Sequence, residues 1–76
     1  MIRTVTMMLL GRVKTIAPDF LVLEDAGWIA ESSRFGGMLE TGAINEFERG
    51  PSWCLVAWGA CVDIWPWAHE IPQDSI

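Results

Sequence analysis

The chain has 76 residues, 51% of them hydrophobic and five of them Trp, with a formal net charge of −5. That length holds one domain, spanning residues 1–76, and no second one. The acidic balance argues against a general RNA or DNA binder and against an anionic membrane surface. Neutralising phosphates supplies most of the affinity of nucleic-acid binders, and Arg3, Arg12, Lys14, Arg34 and Arg49 are scattered rather than gathered in a stripe.

A domain this small buries only about 60% of the surface its unfolded chain exposes. With a mean hydropathy of +0.29, the chain carries more apolar material than a small monomer can hide. Part of it is therefore expected to face another subunit. The run Met7-Met8-Leu9-Leu10 is too short for a signal segment or a membrane span, which points to a cytoplasmic protein without membrane contact. Cys54 and Cys61 read as buried thiols in a reducing compartment. Their spacing is not Cys-x-x-Cys, and His69 is the only further soft ligand, so neither a metal nor another cofactor is expected.

Residues 4–14 alternate, with Val5, Met7, Leu9 and Val13 on one face and Thr4, Thr6, Met8, Leu10, Arg12 and Lys14 on the other. Period two with β-branched residues predicts a strand, and Gly11 suggests a bend within it. Ala17-Pro18-Asp19 predicts a tight turn. Residues 20–29 predict a second strand that forms a hairpin with the first. Over residues 32–41, Phe35, Met38 and Leu39 have helical spacing. Ser32 or Ser33 is placed to cap the start of this short helix and Gly42 to end it. Residues 43–48 predict a short strand with Ile44 and Phe47 on opposite faces. Arg49-Gly50-Pro51-Ser52 is a turn. Residues 53–57 and 60–65 predict two more strands around Trp58-Gly59, ended by Pro66. The tail, residues 68–76, contains Pro72 and polar residues and is expected to be poorly ordered. The fold class is thus all-β with one short helix: five short strands over residues 4–65 on the schedule of a small SH3-like barrel.

Two stretches carry a resemblance. Gly11-Arg12-Val13, a turn, and Leu21-Val22-Leu23-Glu24-Asp25-Ala26 resemble the first motif of Sm-like proteins. Cys54-Leu55-Val56-Ala57-Trp58-Gly59-Ala60-Cys61-Val62-Asp63-Ile64 is similar to the second, an apolar strand ending in a glycine-centred turn followed by another strand. The chain also resembles small Sm-like proteins of phage and environmental bacterial origin. The resemblance implies a ring, a cyclic homo-oligomer of five to seven subunits in which the fourth strand of one copy pairs with the fifth of the next. Leu55, Ala57, Val62, Ile64 and Trp65 would then line the subunit interface.

The departures from the family pattern bear on function. The Asn that precedes the Leu-Val-Leu run in RNA-binding members is Phe20 here, Asp19 is out of register, and the Arg of the Ile-Arg-Gly turn is Trp58. The groups that bind uridine are missing, so RNA is not the expected partner. Phe20 and Trp58 remain candidates for stacking on a flat ligand, because base–aromatic stacking is worth about 1–3 kcal/mol; the alternative is that both are packing residues.

No catalytic constellation is visible. Glu24 and Asp25 are adjacent on a strand and point to opposite faces. His69 lacks a nucleophile partner, Cys54 and Cys61 lie in apolar surroundings that keep thiols inert, and Gly36-Gly37 lacks the spacing and Lys of a phosphate loop. The Trp65-Pro66-Trp67 corner reads as a cover or an interface anchor. The sequence therefore favours a non-enzymatic, ring-forming structural or interaction module. Sequestration of a small ligand, such as a nucleotide, at subunit boundaries is the alternative.

Overall fold

The apolar run after the Ala17-Pro18-Asp19 turn organises the molecule. In the computed structural model, which describes residues 1–76, it forms the longest strand and touches three others. The elements in chain order are β1 (Ile2–Thr4), β2 (Met8–Ile16), β3 (Phe20–Glu31), α1 (Phe35–Thr41), β4 (Glu46–Arg49), β5 (Trp53–Ala57) and β6 (Cys61–Ile64), with a 3-10 turn over Trp58–Ala60. All pairings are antiparallel. The sheet runs β4-β3-β2-β1-β6, and β5 joins β3 beside β4.

The expected hairpin is β2 with β3, from Met8 opposite Ile29 to Ile16 opposite Leu21, closed by the Ala17 N–H donating to the Phe20 carbonyl at 2.8 Å. β3 bends at Asp25, the one non-glycine residue with positive φ, at 52°. Left-handed backbone is tolerated by Asp better than by most side chains. Before the bend, Phe20 to Glu24 pair with β5; after it, Gly27 to Glu31 pair with β4.

Two apolar clusters lie on opposite faces of this sheet. Met1, Leu10, Ile29, Met38 and Phe47 form one, covered by α1 and by Trp67 and Ile71 of the tail. Ile2, Leu21, Leu23, Ala26 and Val56 form the other, with Leu9, Cys54, Trp58 and Cys61 at its border. Adjacent residues such as Leu9 and Leu10, or Met1 and Ile2, thus serve different cores. A sheet covered on both faces has no polar side, so its strands lose the clean alternation of a half-buried strand.

That double burial corrects the reading of residues 4–14. The segment is two strands, not one. Thr4 to Met7 is a turn in which the Thr4 N–H donates to the Met7 carbonyl at 2.8 Å and the Met7 N–H donates to Thr4 Oγ1 at 3.1 Å. Leu10, placed on the face with Thr4, Thr6, Arg12 and Lys14, is fully buried, whereas Val5 and Val13 of the other face are exposed. The strand count is consequently six rather than five.

The helix keeps its predicted face. Met38 is fully buried, Phe35 and Leu39 pack against the same cluster, and Gly42 ends the helix with φ 77° and its N–H on the Met38 carbonyl at 2.7 Å. Its start differs: Arg34, not Ser32 or Ser33, sits at the cap, without a side-chain bond. The strand predicted over residues 43–48 is shorter and later, and Ile44 and Phe47 pack into one cluster rather than on opposite faces.

The tail is bound rather than loose. The His69 ring donates from Nε2 to the Leu39 carbonyl at 2.8 Å, Arg49 Nη1 donates to the Pro72 carbonyl at 3.2 Å, and Ile76 exchanges two backbone bonds with Phe47 at 2.8 and 2.9 Å. Pro72 and the polar composition signalled irregular backbone, but irregular backbone that satisfies its donors on a core stays in place.

Candidate functional site

Eleven residues are buried, none of them charged, while eleven large apolar side chains are exposed. The surplus read from composition therefore lies on the surface, and five of the eleven, Trp53, Leu55, Val62, Ile64 and Trp65, lie on or beside two strand edges.

β5 is hydrogen-bonded along one side only, to β3. Its ladder is bracketed by the Trp58 N–H on the Asp19 carbonyl at 3.1 Å and the Asp25 N–H on the Ser52 carbonyl at 3.0 Å. Antiparallel ladders alternate, so the backbone groups of Trp53, Leu55 and Ala57 point away from β3. These three residues also turn their side chains outward, with Trp53 60% and Leu55 49% exposed, while Val56 between them is in the core.

The same reasoning applies to β6, which pairs only with β1. Met1 and Trp65 exchange both backbone bonds, each at 2.7 Å. The Arg3–Asp63 pair two residues on therefore faces inward, and the Ile64 N–H and carbonyl face away from β1. Val62 and Ile64 are 57% and 52% exposed. In the single chain their face is open to solvent.

All five residues expected at an interface, Leu55, Ala57, Val62, Ile64 and Trp65, thus lie at exposed positions on these edges or at the end of one. Trp65 is held by its own chain: its indole N–H donates to Asp63 Oδ1 at 2.9 Å and its ring meets Phe35 edge-on at 5.2 Å. Asp63 also accepts from Arg3 Nε at 2.7 Å, and the Arg3 guanidinium lies over the Phe35 ring.

Phe20 and Trp58 are brought to one corner, where β3 starts and β5 ends. Phe20 lies opposite Ala57. The Trp58 indole N–H donates to the Ala17 carbonyl at 2.8 Å, and the ring borders the second core cluster. The polar edge of this indole is used to hold the Ala17-Pro18-Asp19 turn.

A feature that the sequence reading did not find is the hub at the bend. Asp25 is clamped between Arg12 and Arg49; Arg49 Nη2 reaches Asp25 Oδ1 at 3.0 Å and Arg49 Nη1 the Asp25 carbonyl at 3.1 Å. Three residues 13 and 24 positions apart give no local motif, so only the folded sheet reveals the cluster. A polar cleft of about 680 Å3 opens beside it, lined by Arg12, Asp25, Trp67, His69 and Glu70 among others. Cys54 and Cys61 are free thiols, and no cluster of three or more His, Cys, Asp and Glu side chains suited to a metal ion is present.

The hub gives a pH signature. The hydrogen bond from Arg49, reinforced by Arg12, holds the Asp25 carboxyl below the ordinary carboxylate range, against the partial burial that would raise it. The bond from Arg3, helped by Trp65, does the same for Asp63. A carboxyl whose folded pKa is depressed contributes stability above its unfolded value, here 3.8, and that contribution is lost as the pH falls through the folded value. The melting temperature of Asp25→Asn is therefore expected to lie below that of the parent by a constant gap above about pH 5, and the gap should close in more acidic buffer. A gap that persists unchanged to pH 2 would show that the Asn variant acts through packing alone.

No family model, curated protein or solved structure matches this chain. No helix is long and apolar enough to cross a membrane.

Proposed function

We propose that this chain is a non-enzymatic subunit of a closed homo-oligomeric ring, in which β5 of one copy pairs with β6 of the next. The observation that carries the reading is the pair of one-sided strands just described. Each presents unpaired backbone groups and exposed apolar side chains together, on two different edges of one chain. An exposed edge of this kind is a template for another strand. Two different edges that fit each other give head-to-tail association, which closes when the rotation between copies permits.

The sheet path supports an Sm-like, SH3-like barrel as the subunit. β6 returns beside β1, β5 lies along β3, and a 3-10 turn links the two. The resemblance suggests five to seven copies as the ring size. RNA remains disfavoured as a partner by the charge of −5 and by the use of the Trp58 indole N–H within the fold. The free thiols accord with a reducing compartment such as the cytoplasm. Capture of a small ligand is the second reading, and the cleft where Arg12 and Asp25 meet Trp67 and His69 is what favours it.

Native mass spectrometry of the protein purified from cells tests both readings. The expected spectrum is one dominant species at an integer multiple of 8.5 kDa, without added mass. Co-purified mass in the low hundreds of daltons would support the ligand reading. A monomer at micromolar concentration would overturn the ring. Because assembly stabilises the folded subunit by mass action, the melting temperature should also rise with protein concentration.

A further inference from the structure

A third strand edge, the outer side of β4, is already occupied, and by the chain itself. β4 has four residues, and those facing away from β3 are fixed by the ladder. The Gly50 N–H donates to the Ala26 carbonyl at 2.9 Å, so Glu48 faces inward, and Phe47 and Arg49 present their N–H groups outward. The tail meets both. The Phe47 N–H donates to the Ile76 carbonyl at 2.8 Å, the Ile76 N–H returns a bond to the Phe47 carbonyl at 2.9 Å, and the Arg49 N–H donates to Ser75 Oγ at 2.9 Å. The Arg49 side chain anchors the approach through the Pro72 carbonyl. Both outward donors of the strand are thus satisfied by residues 75 and 76, whose own side chains are exposed.

We infer that the outer edge of β4 is a strand-addition site held closed by residues 75 and 76, and that releasing them admits a second copy of this chain through its β5 edge. The tail demonstrates that the edge accepts an extended main chain. Pairing β4 with β4 would set exposed Glu46 and Glu48 against their own copies, and like charges directly opposite are unfavourable. The outer edge of β5 carries Trp53, Leu55 and Ala57 without a charge and is long enough to match β4. Only this last choice rests on the reading of β5 as a joining edge. By closing the third edge, the strap leaves β5 and β6 to meet each other, which is what a ring needs and a branched aggregate does not.

The test uses full-length protein carrying Ser75→Ala with Ile76→Pro, which removes the hydroxyl acceptor and one tail donor without touching the core. Amide exchange at Phe47 and Arg49 should quicken about tenfold, the effect of losing one such bond. Sedimentation should show species larger than those of the parent, increasing with protein concentration. Ile76→Ala keeps both backbone bonds and should sediment as the parent does. Unchanged exchange at Phe47 and Arg49, faster exchange with the parent's size distribution, or equal growth of the Ile76→Ala protein would each overturn the inference. A monomeric parent would sink the ring reading by itself, and the gain of the double variant over that parent would still report on the strap.

Discussion

Full-length protein carrying Ile64→Pro is expected to run as a folded 8.5 kDa monomer where the parent runs as a ring. The choice of residue comes from the ladder. Met1 and Trp65 exchange backbone bonds, so Asp63 turns its N–H toward β1 and Ile64 turns its own away. Proline at position 64 thus removes a donor that the isolated subunit does not use, and an edge strand tolerates it. Proline at position 63 would instead break a bond within the subunit and disturb the Arg3–Asp63 pair. The loss of mass would then say nothing about assembly.

Leu55→Lys is the matching change on β5. Leu55 is half exposed in the single chain, so the lysine is harmless there, but in a ring it would bury an unpaired ammonium at a cost of several kcal/mol. Light scattering at tens of micromolar, with Trp fluorescence to confirm the fold, reads both variants. An Ile64→Pro protein of parental mass and stability would remove β6 from the joint.

The second large effect is at Gly27, and it concerns the subunit rather than the ring. A Cβ built there would lie 2.1 Å from Phe47 Cζ and 2.8 Å from the Glu48 carbonyl oxygen. Phe47 is 2% exposed and packed among Met1, Leu10, Ile29 and Met38, so its ring has nowhere to go. The Glu48 carbonyl belongs to the β3–β4 ladder. Gly27→Ala must therefore force β4 off β3, and overpacking of this kind costs about 3 kcal/mol. In a domain of this size the melting temperature should fall by about 12–24 °C. Gly36→Ala is the control. Nothing lies within 4 Å of its Cβ position, and exchanging a helical glycine for alanine gains about 0.5–1 kcal/mol. Thermal unfolding followed by circular dichroism at matched concentration checks the pair. Equal melting of Gly27→Ala and the parent would mean that Phe47 does not pack over Gly27.

Sequence by itself determined the local units whose causes are local. The Ala17-Pro18-Asp19 turn, the hairpin around it, the Phe35-Met38-Leu39 face and the Gly42 stop all follow from φ preferences and spacing within a few residues. The same holds for the last two strands around Trp58-Gly59. The surplus of apolar residues was also legible, because counting them against the surface a short chain can bury needs no coordinates.

Tertiary structure decided the rest, for reasons that are not local. Residues 4–14 read as one strand because alternation assumes one wet face, and here Leu9 and Leu10 each find a core on their own side of the sheet. The Asp25 clamp joins residues that sequence distance hides. Which of Asp63 and Ile64 turns its amide outward depends on the register with β1, and a one-residue shift of register would reverse it. The tail carries the composition of a loose end, yet it is fixed because the outward N–H groups of Phe47 and Arg49 need acceptors and residues 75 and 76 lie within reach. Composition can report that a segment lacks the pattern of a strand or helix; whether it finds partners depends on which edge the folded sheet leaves open beside it.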